Sequence, residues 1–133
     1  MTNSGRLEEK IVLLKDVRLR LLKLHKLLID IERENFEKLN GKITSGQFLS
    51  LLVDDKNFSW LRNFSTLIVE VDEMLDLDDG FTVAMIDKHL FQIGELLNLR
   101  NIDKDFNEKY KNLLQTNPEV AGKHSELKKS LSE

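Results

Sequence analysis

The stretch that decides the fold runs from Phe58 to Leu77 and reads FSWLRNFSTLIVEVDEMLDL. It contains the only tryptophan of the chain and its densest apolar periodicity. At about 100° per residue, its apolar side chains fall in one arc of about 140° on a helical wheel. The members of this arc are Trp60, Leu61, Phe64, Leu67, Ile68, Val71, Met74 and Leu75. The pattern predicts a central helix with one buried face.

The composition fits a single folded domain covering residues 1–133. Hydrophobic residues make up 41% and charged residues 32%, which is too apolar for general disorder. A chain of 133 residues is long enough to bury a real core. Six glycines and one proline leave few places for β-turns, so an all-α fold is expected.

Several function classes are excluded or disfavoured. The absence of cysteine excludes disulfides, thiolate metal sites and cysteine nucleophiles. The acidic turn at 78–80 does not fit a calcium loop, because Leu75 and Leu77 fall where oxygen ligands are needed. No cofactor or metal is therefore expected.

Targeting signals are also missing from the sequence. The start, MTNSGRLEEK, lacks a signal-peptide core, and no apolar run approaches the roughly 18 residues of a membrane span. The net charge of −3 gives no general attraction to nucleic acid. A cytoplasmic protein that binds neither membrane nor nucleic acid is the expectation.

Helix-end signals divide the first half of the chain. A first helix is predicted from about residue 7 to residue 39, ended by Gly41. Thr44 and Gln47 have the spacing of a capping box for a second helix that begins at residue 45. Polar residues at 54–57 interrupt it. If they only kink it, residues 45–77 match the first helix in length, and the two form a long antiparallel hairpin. Whether residues 45–77 form one kinked helix or two stays open.

The second half shows three further helical patterns. They begin near Thr82, Asp103 and the Asn117–Pro118 pair. Gly94 borders the apolar stripe of the first of these and is expected to allow a close helix approach. Residues 117–133 have a narrow stripe and are expected to be the most loosely attached segment. The architecture expected is a bundle of four to six helices with a long antiparallel N-terminal hairpin.

Polar residues interrupt the apolar arc of the first helix. Arg18, His25 and Glu32 lie in that arc at intervals of seven residues, about 10 Å apart per step. Such residues need partners when buried. By position on their helices, Asp72 and His89 are the nearest candidates to meet His25 and Glu32.

Two hypotheses explain this polar line. In the first, the line sets helix register, and the chain is a non-enzymatic interaction or regulatory module. In the second, Arg18, His25, Glu32, Asp72 and His89 form a small-ligand or catalytic site. The first is favoured, because no recognisable catalytic set is present.

A protein partner or a homodimer is also expected. The first helix is longer than a compact bundle of this size can cover alone. Val12, Leu19 and Leu27 remain on its flank as a surplus apolar patch.

Part of the chain resembles a known group of proteins. The pieces are HKLLIDIER at 25–33, FSWLR at 58–62 and LIV at 67–69. They resemble a group of small, functionally uncharacterised all-helical bacterial proteins. The resemblance implies a helical fold and a bacterial source, and it carries no catalytic residues over.

Overall fold

The computed structural model describes residues 3–101 and 103–132, with side chains from Arg6 onward. Within these ranges the chain forms six α-helices and one 3₁₀ helix, and it forms no β-strand. The elements are α1 (Asn3–Asn40), α2 (Ser45–Asp54), the 3₁₀ helix (Lys56–Leu61), α3 (Arg62–Leu75), α4 (Val83–Leu97), α5 (Lys104–Thr116) and α6 (Pro118–Ser132). The predicted all-α helical bundle is confirmed.

Helices α2, α4, α5 and α6 begin where a local side chain accepts a hydrogen bond from a free backbone N–H group. At the start of α2, the Gln47 N–H donates to the Thr44 hydroxyl at 3.1 Å, and the Thr44 N–H donates to the Gln47 side chain at 2.9 Å. The Asp103 carboxylate accepts from the Phe106 N–H at the start of α5. Gly41, with φ of 86°, ends α1 in a conformation that favours glycine.

The central stretch begins as a 3₁₀ helix and continues as α3. Asp55 has an extended backbone, and its carboxylate accepts from the Asn57 N–H, so the chain restarts after α2 with a tight turn. Six of the eight residues in the predicted apolar arc are buried, with Trp60 and Phe64 fully inaccessible, and Leu67 and Leu75 are partly buried. Residues 45–77 are therefore two α-helices joined by a 3₁₀ helix, which answers the question left open by the sequence.

The long hairpin is not confirmed as a unit. α3 does run back along α1, since Arg18 meets Asp72 and His25 meets Phe64. However, α1 packs more extensively against α6 than against α3. The break at Asp55 separates α2 from α3, and a helix of 38 residues has room for several neighbours.

The C-terminal helix is part of the core. Val120 and Leu127 of α6 are completely buried against α1 and its neighbours. This corrects the expectation of a loosely attached segment. Its apolar stripe is narrow, but the helix contacts α1, α4 and α5 at once, so a few apolar residues are enough to attach it. A Cβ at Gly94 would meet nothing within 4 Å, so the close helix approach expected there is also absent among the described residues.

The core has two parts. The larger part is aromatic and centres on Phe106. The ring centroids of Trp60, Phe64 and Tyr110 each lie within 6.0 Å of the Phe106 centroid. A smaller cluster joins the N-terminal half of α1 to the end of α3 and the start of α4. No helix in the described part of the chain is long and apolar enough to cross a membrane.

Candidate functional site

Two of the five predicted site residues meet as an ion pair. The Arg18 guanidinium donates to both carboxylate oxygens of Asp72, with an Nη2–Oδ2 distance of 3.0 Å. This bidentate bond joins α1 to α3 and raises the pKa of Arg18 further. The side chains are 30% and 45% exposed, so solvent screens the pair and limits its contribution to about 1 kcal/mol. Each charge is already neutralised within the fold.

His25 packs against an aromatic ring of α3. Its imidazole stacks on Phe64 with ring centroids 5.9 Å apart and planes 22° apart. Burial lowers the pKa of His25, and an interaction with the backbone of Leu61 opposes this in part. The ring is therefore held neutral near pH 7 at the boundary between the core and the surface.

Glu32 lies against the core tryptophan. Burial raises the pKa of Glu32, while the indole of Trp60 and the ammonium of Lys109 oppose that rise. The Trp60 Nε1 nonetheless has no acceptor in hydrogen-bond geometry among the residues described. The carboxylate is thus near the indole without bonding it well, and its desolvation is only partly offset.

His89 does not join the other predicted site residues through any described hydrogen bond. It lies on α4, and its Nδ1 is buried without a partner in residues 3–101 and 103–132. Asp72 is bound to Arg18 and is not the partner of His25 or Glu32. The partners expected from helix position were therefore wrong, because they depend on how the helices are rotated about their axes.

One buried polar pair was not anticipated from the sequence. The Tyr110 hydroxyl lies 2.7 Å from Nδ1 of His124, which links α5 to α6. Burial, with a smaller contribution from Lys128, lowers the pKa of His124. The expectation that all three histidines are partly buried is confirmed. The only signal in the sequence was that each histidine interrupts an apolar stripe.

The surface beside His25 contains an apolar groove. His25 and Ile29 form one wall, and the rest of the lining comes from α2, the 3₁₀ helix and α3; its volume is about 430 Å³. Exposed apolar residues continue this groove. We call them the outer face, which consists of Leu19 and Leu22 of α1, Leu49 and Val53 of α2, and Val69 of α3.

The outer face is contiguous by helix geometry. His25, Val53 and Ser65 line the groove. One turn away from them on the same helices lie Leu22, Leu49 and Val69, respectively. The exposed fractions run from 39% for Leu22 to 61% for Leu49. Of the patch predicted on α1, Val12 and Leu19 remain exposed, and Leu19 belongs to the outer face, whereas Leu27 packs against the core.

The described side chains offer no cluster of three or more His, Cys, Asp or Glu residues that could hold a metal ion.

Comparison of the chain with protein-family models, with characterised proteins and with solved structures produced no match. The resemblance to small helical bacterial proteins stays a prediction.

Proposed function

We propose that this chain is a non-enzymatic interaction module that associates with itself through the outer face. The observation that carries the proposal is the set of five exposed apolar side chains from three helices around one apolar groove. A contiguous apolar surface of this kind is unfavourable in water and is typical of a binding surface.

The contacts that Arg18 and Glu32 make inside the fold also favour an interaction module over a ligand site. Arg18 and Asp72 neutralise each other, and Glu32 lies against Trp60 inside the fold. Of these residues, His25 alone lines the groove described above. Arg18 therefore has a structural partner, and Glu32 lies inside the fold instead of lining the groove.

Sedimentation equilibrium tests the proposal. Wild-type protein at high micromolar concentration should have twice the 15.5 kDa mass of one chain. Leu22→Glu and Val69→Glu should each raise the dissociation constant about 30-fold or more, because each places a charge in the apolar contact.

The matched control is Phe91→Glu. Phe91 of α4 is also a large exposed apolar residue, at 67%, but it lies outside the outer face. This variant should associate like the wild type. A wild-type mass of 15.5 kDa at high micromolar concentration would contradict the proposal. If Leu22→Glu, Val69→Glu and Phe91→Glu changed the dissociation constant equally, the interface would not be the outer face.

A further inference from the structure

The pairing of α1 with α3 determines which residues share a level along the two helices. Arg18 faces Asp72, and His25 faces Phe64, so a step of seven residues up α1 corresponds to eight residues back along α3. By this register, Val69 lies at a level between Leu19 and Leu22. Lys15 lies at the level of Leu75, the last residue of α3, and Glu73 lies within one helical turn of that level.

At these levels the two helices present complementary residues on the same side of the molecule. Lys15, Leu19 and Leu22 occupy an arc of about 60° on the exposed side of α1. Val69 and Glu73, one turn apart, occupy the exposed side of α3. Each helix therefore carries a charge at one end of this surface and apolar side chains beside it. The charge on α1 is positive, and the charge on α3 is negative.

Neither charge has an ion-pair partner among the side chains that the structure describes. Lys15 and Glu73 are exposed, and neither makes an ion pair with any residue in 3–101 or 103–132. If α3 of another copy lay on α1 at the same level, Val69 would meet Leu19 and Leu22, and Glu73 would meet Lys15.

We infer that a second copy of this chain covers the outer face, with a two-fold axis parallel to α1 and α3, so that α3 of each copy lies on α1 of the other. This inference rests on the proposed self-association. Each contact then occurs twice, as an isologous dimer requires. The two α1 helices and the two α3 helices form four antiparallel neighbours around the axis.

The charges select this arrangement over the other two-fold arrangement. An axis perpendicular to the helices would place α1 on α1 and bring Lys15 opposite Lys26, since the two lysines lie at similar distances on either side of Leu19 and Leu22. Lys26 is already paired with Asp30, so Lys15 would meet a like charge and gain no acidic partner of its own. Juxtaposed like charges are unfavourable at an interface. The parallel axis also brings the two α2 helices to the same end of the dimer, where Leu49 and Val53 are exposed.

Single engineered cysteines test the arrangement, because the native chain contains none. Full-length Leu22→Cys and Val69→Cys proteins are mixed, one of them carrying an affinity tag, and treated with a short bis-maleimide. The expected product joins the tagged chain to the untagged one, in excess over each self-linked product. Leu22→Cys mixed with Phe91→Cys is the control and should give no such product.

Charge reversal supplies a second test. Lys15→Glu and Glu73→Lys should each raise the dimer dissociation constant about tenfold, and the combined variant should restore it to within about threefold of wild type. Lys111→Glu, at an exposed position of α5, is the control and should leave association unchanged.

The outcomes separate the two proposals. A wild-type dimer in which Val69→Cys links to itself, or in which the combined charge reversal gives no rescue, would overturn the arrangement and leave self-association standing. A wild-type protein that stays monomeric would overturn both.

Discussion

The hydroxyl of Tyr110 lies 2.7 Å from Nδ1 of His124 and joins α5 to α6 inside the aromatic core. Tyr110 is fully buried, and burial raises its pKa above the ordinary value, so the hydroxyl keeps its proton at neutral pH. A neutral imidazole can accept that proton in a hydrogen bond. The pair therefore satisfies two polar groups in a region that excludes most water.

This burial predicts acid sensitivity. Because burial lowers the pKa of His124 and of His25 below 6.5, the folded state binds fewer protons than the unfolded state in acid. The contribution of both histidines to stability is then complete above that pH and falls as the pH drops through it. Urea denaturation at about pH 7.5 and about pH 5.5 should show the loss, and His124→Gln should reduce it.

Tyr110→Phe is the control for the cause of this effect. It removes the hydrogen bond and should lower stability by about 1 kcal/mol at both pH values. It leaves His124 buried, so the pH dependence should persist. The Glu32→Gln variant removes the opposite contribution of Glu32. An unfolding free energy of this variant that is equal at the two pH values would contradict the prediction.

Glu32 is predicted to lower stability at neutral pH. Burial raises the pKa of Glu32 above its ordinary 4.5, so its contribution is favourable below that pH and is lost as the pH rises through the folded-state value. Glu32→Gln keeps a similar shape and removes the charge. It should match or exceed the wild-type unfolding free energy at about pH 7, and its advantage should shrink near about pH 4.5.

Glu32→Ala provides the contrast. It removes the side chain that lies beside the Trp60 indole and should lower stability by about 1–2 kcal/mol. If Glu32→Gln were as destabilising as Glu32→Ala, the carboxylate would be making a stronger bond than the structure contains.

Trp60 is predicted to be the principal anchor of the core. Its side chain is fully buried and packs against Phe106, with ring centroids 6.0 Å apart. Trp60→Ala should lower the unfolding free energy by about 3–5 kcal/mol in urea denaturation. Leu39→Ala, at an 86% exposed position, should change it by less than about 0.5 kcal/mol. A change under about 1 kcal/mol for Trp60→Ala would mean that the ring is not packed as described.

Helix ends were the part of the fold most accessible from sequence. The capping residues Thr44, Asp103 and Asn117 all act on backbone groups within three residues of themselves. Such signals are local, so they do not depend on where the rest of the chain lies. The same reasoning could not show that residues 56–61 form a 3₁₀ helix, because an apolar arc predicts burial more reliably than it predicts helix type.

The candidate site was less predictable. Arg18, His25 and Glu32 were correctly recognised as polar residues on an apolar arc, and the spacing of seven residues placed them on one line. Their partners could not be derived. Arg18 meets Asp72, whereas Glu32 meets Trp60, and these pairings depend on the rotation and offset of α3 against α1.

By itself the sequence determined the all-α class, the capped helix ends and the buried face of the central stretch, because periodicity and capping are properties of neighbouring residues. It limited the number of helices only to between four and six. Only the tertiary structure decided that α6 is the most extensive neighbour of α1, and that Leu22, Val53 and Val69 share one exposed surface. An apolar residue on a helix is equally suited to a core or to an interface. Which of the two it joins depends on which other helices cover it, and that is a property of the whole chain.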